Sequence, residues 1–166
     1  MKKLFVISVV LLGFLSTTFG QVSGTATASA TIITPIAISK TIDMNFGNVA
    51  VSAVAGTVVL SPASGRTKTG GVTLPIISGT ISAASFNVTG LGSYTYTITL
   101  PSTPLTISSG ANTMTVNSFT STPSGTGTLS GGLQVLNVGA TLNVGVNQAA
   151  GVYTSATPFA VTVNYN

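Results

Sequence analysis

Few side chains in this sequence can do chemistry. Across 166 residues there is no His and no Cys, and Asp and Glu together contribute a single residue, Asp43. General acid–base catalysis draws on imidazole or on carboxylates tuned by a neighbour, and Asp43 has neither kind of partner in the chain. Zinc and transition-metal sites need Cys, His or grouped Asp/Glu, and no such set can be assembled. Ser and Thr are plentiful, but a hydroxyl nucleophile requires a base to activate it. With Lys40 and Lys68 as the only lysines after Lys3, a Ser–Lys pair is all that is formally open. The inventory points away from an enzyme and implies neither cofactor nor metal.

The formal charge of +4 includes Lys2 and Lys3 at the extreme N-terminus. The rest of the chain carries Lys40, Arg66 and Lys68 against Asp43. Three scattered cations do not form the basic stripe that displaces counterions from phosphates, so nucleic acid is not an expected partner. Only 4% of residues are charged. Solubility then rests on Thr, Ser, Asn and Gly, and the repulsion that keeps strand edges apart is weak.

The N-terminus has the three parts of a secretory signal peptide. Lys2 and Lys3 form its positive region and Leu4–Leu15 its apolar core, which is short for a membrane-spanning helix. Ser16–Gly20 supplies the small, polar end, with cleavage expected between Gly20 and Gln21. The alternative is an uncleaved anchor. Cleavage implies export, with a periplasmic passage and a final place at the cell surface or outside the cell. No later segment reads as a transmembrane helix.

The remainder of the sequence must be organised by strands, because apolar residues recur with period two and no amphipathic helix stands out. Residues 21–32 form an alternating segment: Val22, Gly24, Ala26, Ala28, Ala30 and Ile32 on one face, Ser and Thr on the other. Residues 33–166 read as one domain of short strands. Strands are expected at Ile33–Ile38, Met44–Val51, Thr57–Leu60, Val72–Leu74, Thr80–Ile81, Ser85–Thr89, Tyr94–Leu100, Thr113–Phe119, Leu133–Val138, Ala140–Val144 and Phe159–Tyr165. Ser61–Gly71 reads as a loop, and Ser121–Gly132 as a loop or hairpin tip. Many short strands separated by Gly and Pro turns predict an all-β, immunoglobulin-like antiparallel β-sandwich, with a closed barrel as the alternative. Thr-X-Thr triplets recur, but at irregular spacings, whereas a β-solenoid needs a fixed period of roughly 20–30 residues. They read as the solvent face of ordinary strands.

Several stretches together carry a resemblance. Pro35-Ile36-Ala37-Ile38 and Met44-Asn45-Phe46-Gly47-Asn48-Val49 open the domain. Val138-Gly139-Ala140-Thr141-Leu142, Ala150-Gly151-Val152-Tyr153 and Phe159-Ala160-Val161-Thr162-Val163-Asn164-Tyr165 close it. In this order they resemble the domain-of-unknown-function family 4402 of bacterial secreted proteins, which brings no activity with its name. More distantly the layout is similar to spore coat protein U domains and archaic chaperone–usher pilins.

The pilin resemblance implies an incomplete sandwich whose groove is filled by the N-terminal segment of a neighbouring subunit. Matched by position, the donor face would be Val22, Ala26, Ala28, Ala30 and Ile32. The groove would involve the terminal strand, through Phe159, Val161, Val163 and Tyr165. Other subunits, and a periplasmic chaperone and usher, would be the partners. Residues 22–32 could equally be the first strand of their own complete domain. Two functions are therefore carried forward. One is a secreted fimbrial- or coat-like structural subunit assembled by strand addition. The other is a stand-alone extracellular binding module for glycans or matrix, using a loop aromatic such as Tyr153.

Overall fold

The computed structural model describes residues 20–166. The expected leader, apart from Gly20, lies outside those residues. The chain divides into two units between Ile32 and Ile33. In the described part of the first unit, residues 20–32 are exposed and join no strand. Val22 is 96% exposed and Ile32 93%.

The second unit is all-β, and among the described residues there is no helix. Its ten strands are β1 (Ala37–Ile42), β2 (Gly56–Leu60), β3 (Arg66–Gly70), β4 (Ala84–Thr89), β5 (Thr95–Thr99), β6 (Leu105–Ser109), β7 (Asn112–Thr122), β8 (Thr126–Thr128), β9 (Leu133–Val144) and β10 (Thr162–Tyr165). Every pairing is antiparallel. Seven strands build a large sheet around β9. On one side of β9 lies β7 and then β6; on the other lie β4 with β1 at one end and β2 with β3 at the other. The remaining three form a small sheet in the order β10-β5-β8. The result is the antiparallel two-sheet sandwich expected from the pattern of alternation.

The small sheet covers only one end of the large one. There, Val88 of β4, Tyr96 and Ile98 of β5, Leu136 and Val138 of β9 and Val163 of β10 pack into one core cluster. On β5 the alternation is complete: Tyr96 and Ile98 are buried while Thr95, Thr97 and Thr99 face water. The Tyr96 hydroxyl donates to Gln134 Oε1 at 2.8 Å, and that oxygen also accepts the Thr128 N–H at 2.9 Å. Burial pushes the Tyr96 phenol above its ordinary pKa, because the anion would lose its hydration. The second cluster, at the other end, gathers Val58, Val72, Val116, Ala140, Leu142 and Val144.

Several expected boundaries are corrected. Ser61–Gly71 is not all loop: Arg66–Gly70 forms β3 and pairs along β2. Its charges are tolerated because it is an edge strand, and Thr67 and Thr69 suit a pleated surface. Ser121–Gly132 contains β8, whose central Gly127 lies against Tyr96; a Cβ there would stand 2.3 Å from Tyr96 Cζ. That glycine is present for close approach, not for a turn. Leu133–Val138 and Ala140–Val144 are one strand, β9, continuous through Gly139. β6 is a strand that the sequence pattern does not announce. Met44–Val51, Val72–Leu74 and Thr80–Ile81 do not form full strands, but this part of the chain holds isolated bridges at Asn45–Ser82 and Ala50–Thr73. The terminal strand begins at Thr162, not Phe159, because β5 offers no partner beyond Thr99.

Candidate functional site

Where the small sheet stops, the inner face of the large sheet lies open in a groove of about 1270 Å³. Its floor is set by alternation on three neighbouring strands: Leu105 and Ile107 of β6, Met114 and Val116 of β7, Leu142 and Val144 of β9. Val116, Leu142 and Val144 are buried, whereas Leu105, Ile107 and Met114 keep partial exposure. Apolar surface of this kind in a domain core would ordinarily be covered by a second layer.

The first wall is Met44–Val51, which leads from the end of β1 towards β2. Met44, Phe46 and Val49 pack on the second core cluster. The wall is paired on its outer side only. Asn45 N–H donates to Ser82 O at 2.8 Å and Ala50 N–H to Thr73 O at 2.9 Å. The backbone groups of Met44, Val49 and Val51 have no backbone partner among the described residues. The wall is nevertheless held firmly. Arg66 Nη1 donates to Phe46 O at 2.5 Å and to Asn48 O at 3.0 Å. Asn48 N–H donates to Ser78 O at 2.6 Å. Gly47 has φ of +68°, and a Cβ there would lie 2.3 Å from Ser78 O, so the Phe-Gly pair reflects both a left-handed backbone and a tight approach.

The second wall is the return of the chain after β9. Thr154 and Ser108 exchange backbone hydrogen bonds of 2.9 and 3.0 Å, which tie this wall to β6. Tyr153 donates its hydroxyl to Ala149 O at 2.7 Å and accepts from Gln148 Nε2 at 2.8 Å. The hydroxyl is thereby fixed to its own turn, and the half-buried residue lines the groove. From Ser155 to Val161 the backbone makes no backbone hydrogen bond among the described residues; pairing resumes at Thr162.

The walls are anchored at opposite edges of the large sheet, one through Arg66 of β3 and the other through Ser108 of β6. Their chain directions are opposed. The first runs with β9, towards the level of Gly56 and Val144, and the second runs back from there to Thr162. A strand laid between them would be parallel to one wall and antiparallel to the other.

Of the expected groove residues, only Phe159 lines the opening. Its ring meets Phe86 edge-on at 6.4 Å between centroids and tilts against Phe119 at 5.0 Å. Val161 and Val163 pack in the covered cluster. Tyr165 lies at the far end, accepting the Leu91 N–H at 2.7 Å and donating to Thr34 O at 3.0 Å. The donor face, Val22, Ala26, Ala28, Ala30 and Ile32, belongs to the first unit and is exposed throughout. Sequence reasoning misses the floor: β6 carries no clear strand signal, and the inward faces of β7 and β9 give no sign that they are left uncovered.

The floor of the groove offers apolar contact, and its walls carry backbone groups without a backbone partner among the described residues. Lys40 and Asp43 are the charged residues of its lining; they bond to each other at 2.6 Å and are largely exposed. A family model described as "Domain of unknown function (DUF4402)" matches residues 36–165. No curated protein and no solved structure matches the chain.

Proposed function

The chain belongs to that family, and we propose that it is a secreted bacterial structural subunit of a surface fibre or coat, joined to its neighbours by β-strand addition. One observation carries the reading. An apolar groove has two walls with backbone groups unpaired on the inner side, and the same chain holds an alternating segment, residues 22–32, that joins no strand. A strand placed in the groove would satisfy backbone groups on both walls and lay every second side chain on the floor. The occupant is the segment of a second copy. Val22 and Ile32 would bracket three alanine pegs over the partly exposed Leu105, Ile107 and Met114.

Chain direction favours a second copy over self-filling. The second unit starts at Ile33, and the Tyr165 hydroxyl holds Thr34 O at the end remote from the groove. β1 must then run most of its length before Lys40 reaches the lining. Six extended residues cover ~20 Å. A segment folding back into its own groove would use up Ile32, Ala30 and Ala28 on the way. A neighbour's groove can take the whole apolar face. Before assembly, a periplasmic chaperone strand would cover the same backbone.

The test removes residues 21–32 and adds them back as a peptide. The truncated chain is expected to stay monomeric, where the chain starting at Gln21 forms oligomers resistant to mild heating in detergent. The free peptide should raise the melting temperature of the truncated chain in a concentration-dependent way, as any ligand of the folded state does. A truncated chain that still polymerises, or that gains no stability from the peptide, would overturn the proposal.

A further inference from the structure

The positions of the three cations in the second unit form a pattern. Each ends an apolar row that crosses the inner face of the large sheet. Leu105, Val116, Leu142 and Val58 are successive cross-strand neighbours, and the next residue in that row is Lys68. Ala140 and Leu60 lead to Arg66 in the same way, and Leu136 and Phe86 lead to Lys40. Because neighbours across a ladder share a face, all three cations rise from the inner face of the edge strands β1 and β3. The opposite edge, β6, carries no charge, and neither do β8 and β10.

Inward-pointing charges on an edge strand are a known way to prevent further pairing: an added strand would bury the charge against its own side chains and strip its water. In a chain with so few charges, three on one side of one sheet leave the remaining edges unguarded. We propose that Lys40, Arg66 and Lys68 close the β1/β3 side of the large sheet to strand addition, so that a second copy of this chain is admitted at the groove and not along that edge. Arg66 has a further task, since it ties Phe46 and Asn48. Among the described residues Lys68 makes no such bond, and Lys40 pairs with exposed Asp43 alone. The inference rests on the strand-addition reading for the partner it names, but not for the guarding itself.

The experiment compares the chain starting at Gln21 with its Lys40→Thr/Lys68→Thr and Lys40→Arg/Lys68→Arg variants, and with Lys68→Thr alone because Lys40 also lines the groove. Each is first checked for an unchanged melting temperature. Light scattering against protein concentration at low salt then reports lateral association. The threonine pair should associate at about tenfold lower concentration, a factor equal to ~1.4 kcal/mol; the arginine pair should match the parent. Raising salt to 1 M, where the Debye length is ~3 Å, should leave most of that difference in place, because the guard is the loss of water from a buried charge and not repulsion at a distance. An onset for the threonine pair equal to the parent's would overturn the inference. The outcomes also separate the two readings. Detergent-resistant oligomers with no effect of the threonines would leave strand addition standing and remove the guard. Lateral association of the threonine pair, without any such oligomer in the parent, would do the reverse.

Discussion

The alternation of residues 22–32 makes a quantitative prediction about which side chains enter the groove. If Ala28 points onto the floor, Ala28→Val adds two buried carbons where the alanine leaves space beside half-exposed Ile107 and Met114. At ~0.8 kcal/mol per buried methylene-sized group, the gain is up to about 1.6 kcal/mol, or roughly a fifteenfold lower Kd. Ala26→Val and Ala30→Val should act in the same direction, with the size of the gain reporting the fit at each position. The matched controls are Thr27→Val and Ser29→Val, both on the Ser/Thr side of the alternation. Their expected change is within twofold. The assay is fluorescence polarisation of labelled peptides of residues 21–32 titrated with the chain that lacks them. Equal gains at odd and even positions would refute the register, since they would reflect hydrophobicity or β-propensity without a floor. Losses at all three alanines would mean that the groove selects small pegs, and the free-space argument would fail.

Three further outcomes test the frame of the site. Arg66→Met keeps the aliphatic stem but removes the two hydrogen bonds that hold Phe46 and Asn48; a loss of about 1.5 kcal/mol is expected, with faster amide exchange in Met44–Val51 and weaker peptide binding. Gly127→Ala drives a methyl into Tyr96 and should cost about 1–3 kcal/mol by overpacking, read as a lower denaturant midpoint at unchanged slope. Tyr96 is an acid whose folded pKa is raised, so its unfolded form ionises first as pH climbs. Stability is therefore whole below its ordinary pKa of 10.0 and falls above it, by at most ~1.4 kcal/mol per pH unit from this one group. Tyr96→Phe should flatten that slope in alkaline denaturant titrations; an unchanged slope would refute the assignment to Tyr96.

Much of the architecture is legible in local pattern. Strict alternation in Tyr94–Leu100 puts Tyr94, Tyr96, Ile98 and Leu100 on one core face; Tyr96 and Ile98 are buried and Leu100 half-buried, but Tyr94, which precedes β5, is exposed. The Met44-Asn45-Phe46-Gly47-Asn48 stretch stands out in the sequence, although its role as a braced wall does not. The elements that escape are those whose identity depends on a partner. Arg66–Gly70 and Thr126–Thr128 look like loop because they are polar and glycine-bearing; each is a strand only because β2 or β5 lies beside it. Phe159–Val161 alternates as well as the residues after it, yet is unpaired because β5 ends opposite Thr162.

By composition alone the sequence determined which chemistries lack their residues and that order would come from strands, since residue types and period two are local properties. Tertiary structure decided the rest. Whether an apolar inner face is covered, and whether a cation ends a row or lies among solvent-facing residues, depends on register between strands far apart in the chain. Val116, Leu142, Val58 and Lys68 become one row only when β7, β9, β2 and β3 are in place. The groove exists because the small sheet is shorter than the large one, a difference that no single segment records.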